Sequence, residues 1–156
     1  MTQTGAQRRL WQSRGRRGTA AGHAVVEIAL MAPWIFFLFV GVLDFGFYAY
    51  ALISVENAVR VAALGAGTST SAAADQGQAC LYVREELSRM PNFSTLPATC
   101  DALPLAVSVQ AFTDADGDDA SRVSVAYRTI RLIPIPGLLA GQVTITRSVE
   151  TKVFGG

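Results

Sequence analysis

The side chains of this sequence that could do chemistry are few and lie in three places. Its single histidine, His23, follows Gly22 and stands four residues before Glu27, the sole charge in the apolar run from Ala24 to Leu43. Two cysteines, Cys80 and Cys100, are too far apart for a Cys-x-x-Cys motif. The stretch Asp114-Ala115-Asp116-Gly117-Asp118-Asp119 gathers carboxylates. Ser-His-Asp, Cys-His and histidine-metal chemistry all need an imidazole, and the only one sits at the edge of the apolar run. A calcium loop of the EF-hand kind needs Gly at its sixth position and a closing Glu. Here Gly117 is fourth and no Glu closes the loop, so an acidic hairpin tip with an Asp-Gly turn is expected and no metal site. Glu85 and Glu86 are adjacent on a helical pattern and point apart, and Asp118-Asp119 sit in a turn, so neither pair reads as an acid–base couple. With no Gly-rich phosphate loop either, no cofactor and no enzymatic activity are expected.

The element that positions Glu27 is the run itself. AVVEIALMAPWIFFLFVGVL, residues 24–43, is about 20 residues long, which at ~1.5 Å per residue spans roughly the 30 Å of a bilayer core. A buried core helix is the alternative, but the rest of the chain has too little apolar helix to wrap such a rod. Hydrophobic residues make up 51% of the composition and charged ones 16%, against about 25% charged in soluble domains, which also favours lipid. Arg8, Arg9, Arg14, Arg16 and Arg17 crowd one flank, with no acidic residue before position 22, whereas the other flank opens with Asp44. The positive-inside rule then predicts a single pass with the N-terminus cytoplasmic and the C-terminal part outside the cytoplasm. The net charge of +1 hides this asymmetry, and a basic cluster confined to a tail argues against nucleic acid as a partner. Residues 1–21 are too polar to bury a core and read as disordered. A cleavable secretory signal is the competing reading, because Arg8-Arg9 and Ala49-Tyr50-Ala51 superficially fit one, but signal cores of ~7–15 residues are shorter than this run. Pro33 predicts a bend, and Phe47, Tyr48 and Tyr50 predict an aromatic anchor at the outer interface.

Beyond Asp44, Phe45, Tyr48, Leu52, Val55, Val59 and Ala62 recur at three- and four-residue steps, extending the helix to about Leu64, where the stretch from Gly65 through Ser71 ends it. A second helix is expected from Ala72 to about Arg89, stopped by Met90-Pro91. Alternating β-branched and aromatic residues predict strands at 105–112, 122–133 and 142–154 in an antiparallel sheet. Ile133-Pro134-Ile135-Pro136-Gly137 interrupts the second strand, and Leu138 and Leu139 beyond it are expected to pack on the core. The organisation is therefore a basic cytoplasmic leader, 1–22, a long helix, 23–64, with its transmembrane segment at about 24–43, and an extracytoplasmic domain, 65–156. The fold class is membrane-anchored α+β. Cys80 and Cys100 fall on the oxidising side of this topology and are expected to form one disulfide.

A carboxylate inside a membrane span costs roughly 2.5–3.5 kcal/mol at its centre and usually marks a function with a partner charge. A cut after Gly22 would make His23 the new terminus, with its α-amino cation one helical turn from Glu27. The alternative is a Glu27 that snorkels toward the headgroups without any cut. The arrangement Gly22, His23, Glu27 resembles the processing site of type IV prepilins, in which a membrane aspartyl peptidase cuts after Gly and the Glu at the fifth mature position neutralises the amine during subunit packing. The longer run from Gly22 to about Ala66 resembles TadE-like proteins, pseudopilins of the tight-adherence (Tad, or Flp) pilus system. Ala24, Val26, Glu27, Ala29, Leu30 and Pro33 follow that family's run, Asp44 stands for its commoner Glu, and Ala58 and Arg60 echo an A-A-R segment. Ile28 departs from the Phe or Tyr usual after the Glu.

This resemblance implies a pilin-like minor subunit at the bacterial inner membrane, matured by prepilin peptidase after Gly22. It would pack its helix against other pilin or pseudopilin subunits and Tad assembly proteins within the lipid bilayer. The alternative is an uncleaved, membrane-anchored envelope binding module. The sequence thus expects Gly22, His23 and Glu27 as the processing site and Cys80–Cys100 as a disulfide.

Overall fold

The computed structural model describes residues 17–130 and 141–154, with side-chain surroundings from residue 22 onward. Helix α1, Arg17–Ala66, is 50 residues long and stays helical through Pro33. It begins earlier than expected, because residues 17–21 were read as disordered; once a helix is nucleated, each added residue such as Ala20 and Ala21 gains a backbone bond for two fixed dihedrals. Residues 1–16, with Arg8, Arg9, Arg14 and Arg16 of the basic cluster, lie outside the described residues.

By packing, the chain forms two units, Met1–Leu43 and Asp44–Gly156. In the second, α1 buries Ala51, Val55, Ala58, Val59, Ala62, Ala63 and Ala66, each at most 4% exposed. These positions recur at helical spacing and form one stripe. It contains Val55, Val59 and Ala62 of the expected stripe, with Tyr48 and Leu52 packed on its margin, and only Phe45, 72% exposed, falls outside it. The small residues Ala51, Ala58, Ala63 and Ala66 complete the buried face. Phe47 and Tyr48 likewise lie against the core cluster rather than free as an interfacial anchor, while Tyr50 remains exposed.

The expected second helix is divided. Ala72–Ala74 form a 3-10 turn, α2 runs Gln76–Glu86, and a further 3-10 turn covers Leu87–Arg89. Asp75 causes the division: its extended backbone interrupts the helix, and its carboxylate caps the next one by accepting from the Gln78 amide at 2.9 Å. Met90, extended ahead of Pro91, stops it. Tyr82 on α2 lies against Gly65, where any Cβ would overlap its ring, so a glycine lets the end of α1 meet α2 there.

The sheet is an antiparallel meander, β1-β2-β3-β4, built from Asp101–Ala102, Leu105–Thr113, Asp119–Arg128 and Thr144–Lys152. The three long strands match the expected ones with shifted ends, and β3 stops at Arg128. Two-residue β1 was missed, being too short to show alternation. Residues 131–140, with the Pro-rich interruption, Leu138 and Leu139, lie outside the described residues. Register places Val107 opposite Val125 and Tyr127 opposite Ile145, so Leu105, Val107, Val123, Val125, Tyr127 and Ile145 share the buried face. They join the α1 stripe and Ala79, Cys80, Val83 and Leu87 in one core.

Polar groups inside this core are satisfied. The Tyr127 hydroxyl donates to Asn92 Oδ1 at 2.6 Å, and Ser121 Oγ donates to the Ala73 carbonyl at 2.8 Å. Among the described residues no buried side-chain polar atom lacks a partner. Cys80 and Cys100 are bonded, S–S 2.02 Å, tying α2 to the start of β1. At the β2–β3 turn Gly117 has φ +87°, a left-handed conformation that suits glycine, and its amide donates to Asp114 O at 2.9 Å. Lys152 Nζ lies 2.7 Å from Asp118 and 3.9 Å from Asp116, so a lysine from β4 answers the acidic tip. Hydrogen bonding to Asp118, and then its charge, raise the Lys152 pKa.

Replacing both Cys80 and Cys100 by Ala opens a loop with a separation of 20 residues and should lower unfolding free energy by about 3 kcal/mol, read by denaturant titration of the full chain in detergent. Burial is the main cause of a Tyr127 pKa above its ordinary 10.0, with the Asn92 hydrogen bond a smaller opposing effect. The folded state therefore holds the phenol's proton more tightly than the unfolded state, and this stabilisation is complete below the unfolded value and lost as pH rises through the folded one. Tyr127→Phe should cost about 1–3 kcal/mol at neutral pH by leaving Asn92 Oδ1 buried and unpaired. Its stability should also fall less steeply than the native protein's above about pH 10 in the same titration repeated at alkaline pH.

Candidate functional site

Two adjoining features of α1 carry the functional candidates: the Gly22–Glu27 segment and the apolar surface that follows. Every residue from Gly22 to Phe39 is exposed. Trp34 is 77% exposed, Leu38 70% and Ile28 69%. Burying a side chain of this size contributes about 1.5–3 kcal/mol, so a dozen of them left in water would cost on the order of 20 kcal/mol, more than the ~5–15 kcal/mol that holds a domain folded. Packing inside the described residues does not cover them. By length and composition, residues 22–66 include a helix able to cross a membrane. That fits a membrane anchor.

Gly22, His23 and Glu27 all lie on α1 and are exposed. Helical spacing brings His23 and Glu27 onto one face, a turn apart. Among the described residues no hydrogen bond or ion pair joins their side chains. The intact chain presents an imidazole at position 23; the α-amino group that would face Glu27 does not exist until the Gly22–His23 bond is broken. That bond lies within the second turn of the helix, about six residues from its start. Gly in a helix interior is about 1 kcal/mol less favourable than Ala, so the helix opens more easily here than at neighbouring Ala20, Ala21 or Ala24. A Cβ at Gly22 would meet nothing within 4 Å, so the glycine is not required by packing. The small-x-small sequence Ala49-Tyr50-Ala51 is a poor competitor as a cut site, since Ala51 is wholly buried in the core of the second unit.

Cys80 and Cys100 are brought together as a structural bond within the second unit. The acidic tip is engaged with Lys152, and the geometry gives it the role of a hairpin turn. A hollow of about 260 Å³ lies among Thr70, Ala73, Phe112, Asp119 and Val153, with Asp119 its titratable group. The sequence reading missed this hollow, which no motif marks because its walls come from three separate elements.

With this geometry in view, residues 22–64 match the family of TadE-like proteins. The matched segment starts at the glycine of the candidate cut and ends two residues short of the end of α1, so it covers the helix and leaves out the sheet. The match supports a component related to Tad pilus assembly. No protein of curated function and no solved structure was found to be similar.

Trp34→Lys, near the middle of the apolar run, should add roughly 2.5–3.5 kcal/mol to the cost of membrane insertion. Its soluble fraction after alkaline carbonate extraction should rise against the unaltered chain, while a Gln110→Lys change on the exposed face of β2 should leave extraction unchanged.

Proposed function

We infer that this chain is a TadE-like minor pilin or pseudopilin, a structural rather than enzymatic component, anchored in the bacterial inner membrane with its N-terminus cytoplasmic. A prepilin peptidase removes residues 1–22, and the mature helix packs against other pilin-type subunits and Tad assembly proteins in the bilayer. The observation that carries this reading is the match over residues 22–64, which opens at Gly22 and includes an exposed carboxylate, Glu27, one turn beyond the new terminus. An amine and a carboxylate at that spacing neutralise one another where lipid would penalise each alone. The cytoplasmic placement of the N-terminus rests on the arginine asymmetry of the sequence.

The competing reading, an uncut membrane-tethered binding module, shares the anchor and differs in the fate of residues 1–22.

Coexpression with the cognate prepilin peptidase and mass spectrometry of the intact protein separate the two. A mature chain beginning at His23 is expected, and a chain that keeps Met1 beside an active peptidase sinks the pseudopilin mechanism. Gly22→Val should abolish the cut while leaving the chain membrane-bound, because open space around residue 22 lets the side chain fit. Glu27→Gln should be cut yet assemble poorly. Normal assembly of Glu27→Gln would show the charge pairing to be wrong.

A further inference from the structure

The half of α1 inside the second unit has two apolar faces. One is the buried stripe from Ala51 to Ala66. On the opposite side, roughly 180° around the helix, Gly46, Tyr50, Ile53, Asn57, Val61 and Leu64 follow one another at steps of three and four residues, a straight seam about 27 Å long. Tyr50 is 44% exposed, Ile53 60%, Val61 36% and Leu64 71%, and Asn57 is exposed among them. A Cβ at Gly46 would meet nothing within 4 Å, so a neighbouring backbone can come close there. These residues lie past the end of the apolar run at Leu43, beyond the stretch that lipid covers when residues 24–43 span the membrane.

We propose that this seam is the contact surface for a second copy of this chain, the two α1 helices lying parallel and in register. Two features select an identical partner. Copies anchored in one membrane in the same sense present their helices parallel, and a two-fold axis then sets each seam residue opposite itself. Asn57, the one polar side chain at the middle of the seam, has both a donor and an acceptor in its carboxamide, so it is self-complementary across such an axis. A single Asn in an apolar seam is a known device for fixing register and partner number. An unrelated apolar helix would leave that carboxamide unmatched. On the flank of the seam Arg60 and Arg147 lie 3.1 Å and 3.3 Å from the one carboxylate of Glu56, so each chain keeps a single positive charge beside the seam, exposed and screened by salt. The pairing rests on the membrane-anchored reading but not on cleavage or on any role in a pilus.

The test uses the full, uncut chain expressed alone, without peptidase or other pilus components, in bacterial inner membranes. Single Asn57→Cys and Leu64→Cys changes are oxidised with copper-phenanthroline and resolved by non-reducing electrophoresis, with Gln110→Cys on the outer face of the sheet as the control. Both seam positions are exposed, so neither change disturbs the core. Dimer at several-fold higher yield from the two seam positions than from Gln110→Cys is expected. Yields at or below that control overturn the proposal. Adding Asn57→Asp to Leu64→Cys sets two carboxylates face to face and should lower the dimer yield several-fold, whereas an unchanged yield removes Asn57 from the axis and overturns the in-register pairing. Because no cut is involved, a chain that dimerises but is never processed keeps this inference and loses the pseudopilin mechanism.

Discussion

The second unit depends on one contact surface, the stripe of small residues that α1 sets into the core. Ala51, Ala58, Ala62, Ala63 and Ala66 add little volume, so the core must be filled from the other side. Tyr127, Leu105 and Leu87 do this, each fully buried, with Val123 and Val125 between them. Large side chains facing small ones give close packing without forced rotamers. A helix with large residues on this face would stand further off and loosen the shared core.

Burial of Tyr127 sets a second condition. A phenol removed from water needs a partner, and Asn92 supplies it from the irregular segment between α2 and β1. That segment has few elements of its own. It is held by a 3-10 turn at Phe93–Thr95, by Arg84, whose guanidinium stacks 5.2 Å from the Phe93 ring centroid and donates to the Pro97 carbonyl, and by the disulfide that follows it. The exposed ion pairs, Glu56 with Arg60 and Arg147, and Arg122 with Glu150, each contribute no more than about 1 kcal/mol and do not hold the fold.

The family match lies on the same helix, where the constraint is reversed. Inside the second unit α1 is committed on one face. Between Gly22 and Phe39 it is exposed all round, an apolar surface that fits a membrane anchor. Glu27 fits such a helix because it stands near one end, where the penalty for charge is lower than at the centre and a new terminal amine would be one turn away. Residues 22–64, matched to TadE-like proteins, are this helix, while the sheet with its disulfide lies outside the match.

The sequence by itself determined the elements governed by local periodicity and composition. The apolar run is unambiguous because twenty residues with one charge have few other uses, and β2, β3 and β4 show in alternation because one face is buried and the other wet. The Gly22-His23-Glu27 spacing is legible for the same reason: all its members lie within two helical turns. Tertiary structure decided what depends on distant partners. It left Phe45 of the periodic α1 stripe exposed and completed the buried face with Ala51, Ala58, Ala63 and Ala66. It broke the second helix at Asp75, where a cap competes with helix continuation, added β1 beside β2, and brought Asn92 to Tyr127 across 35 residues of sequence. Local pattern records which residues prefer to leave water, and only the packed chain fixes what they meet when they do.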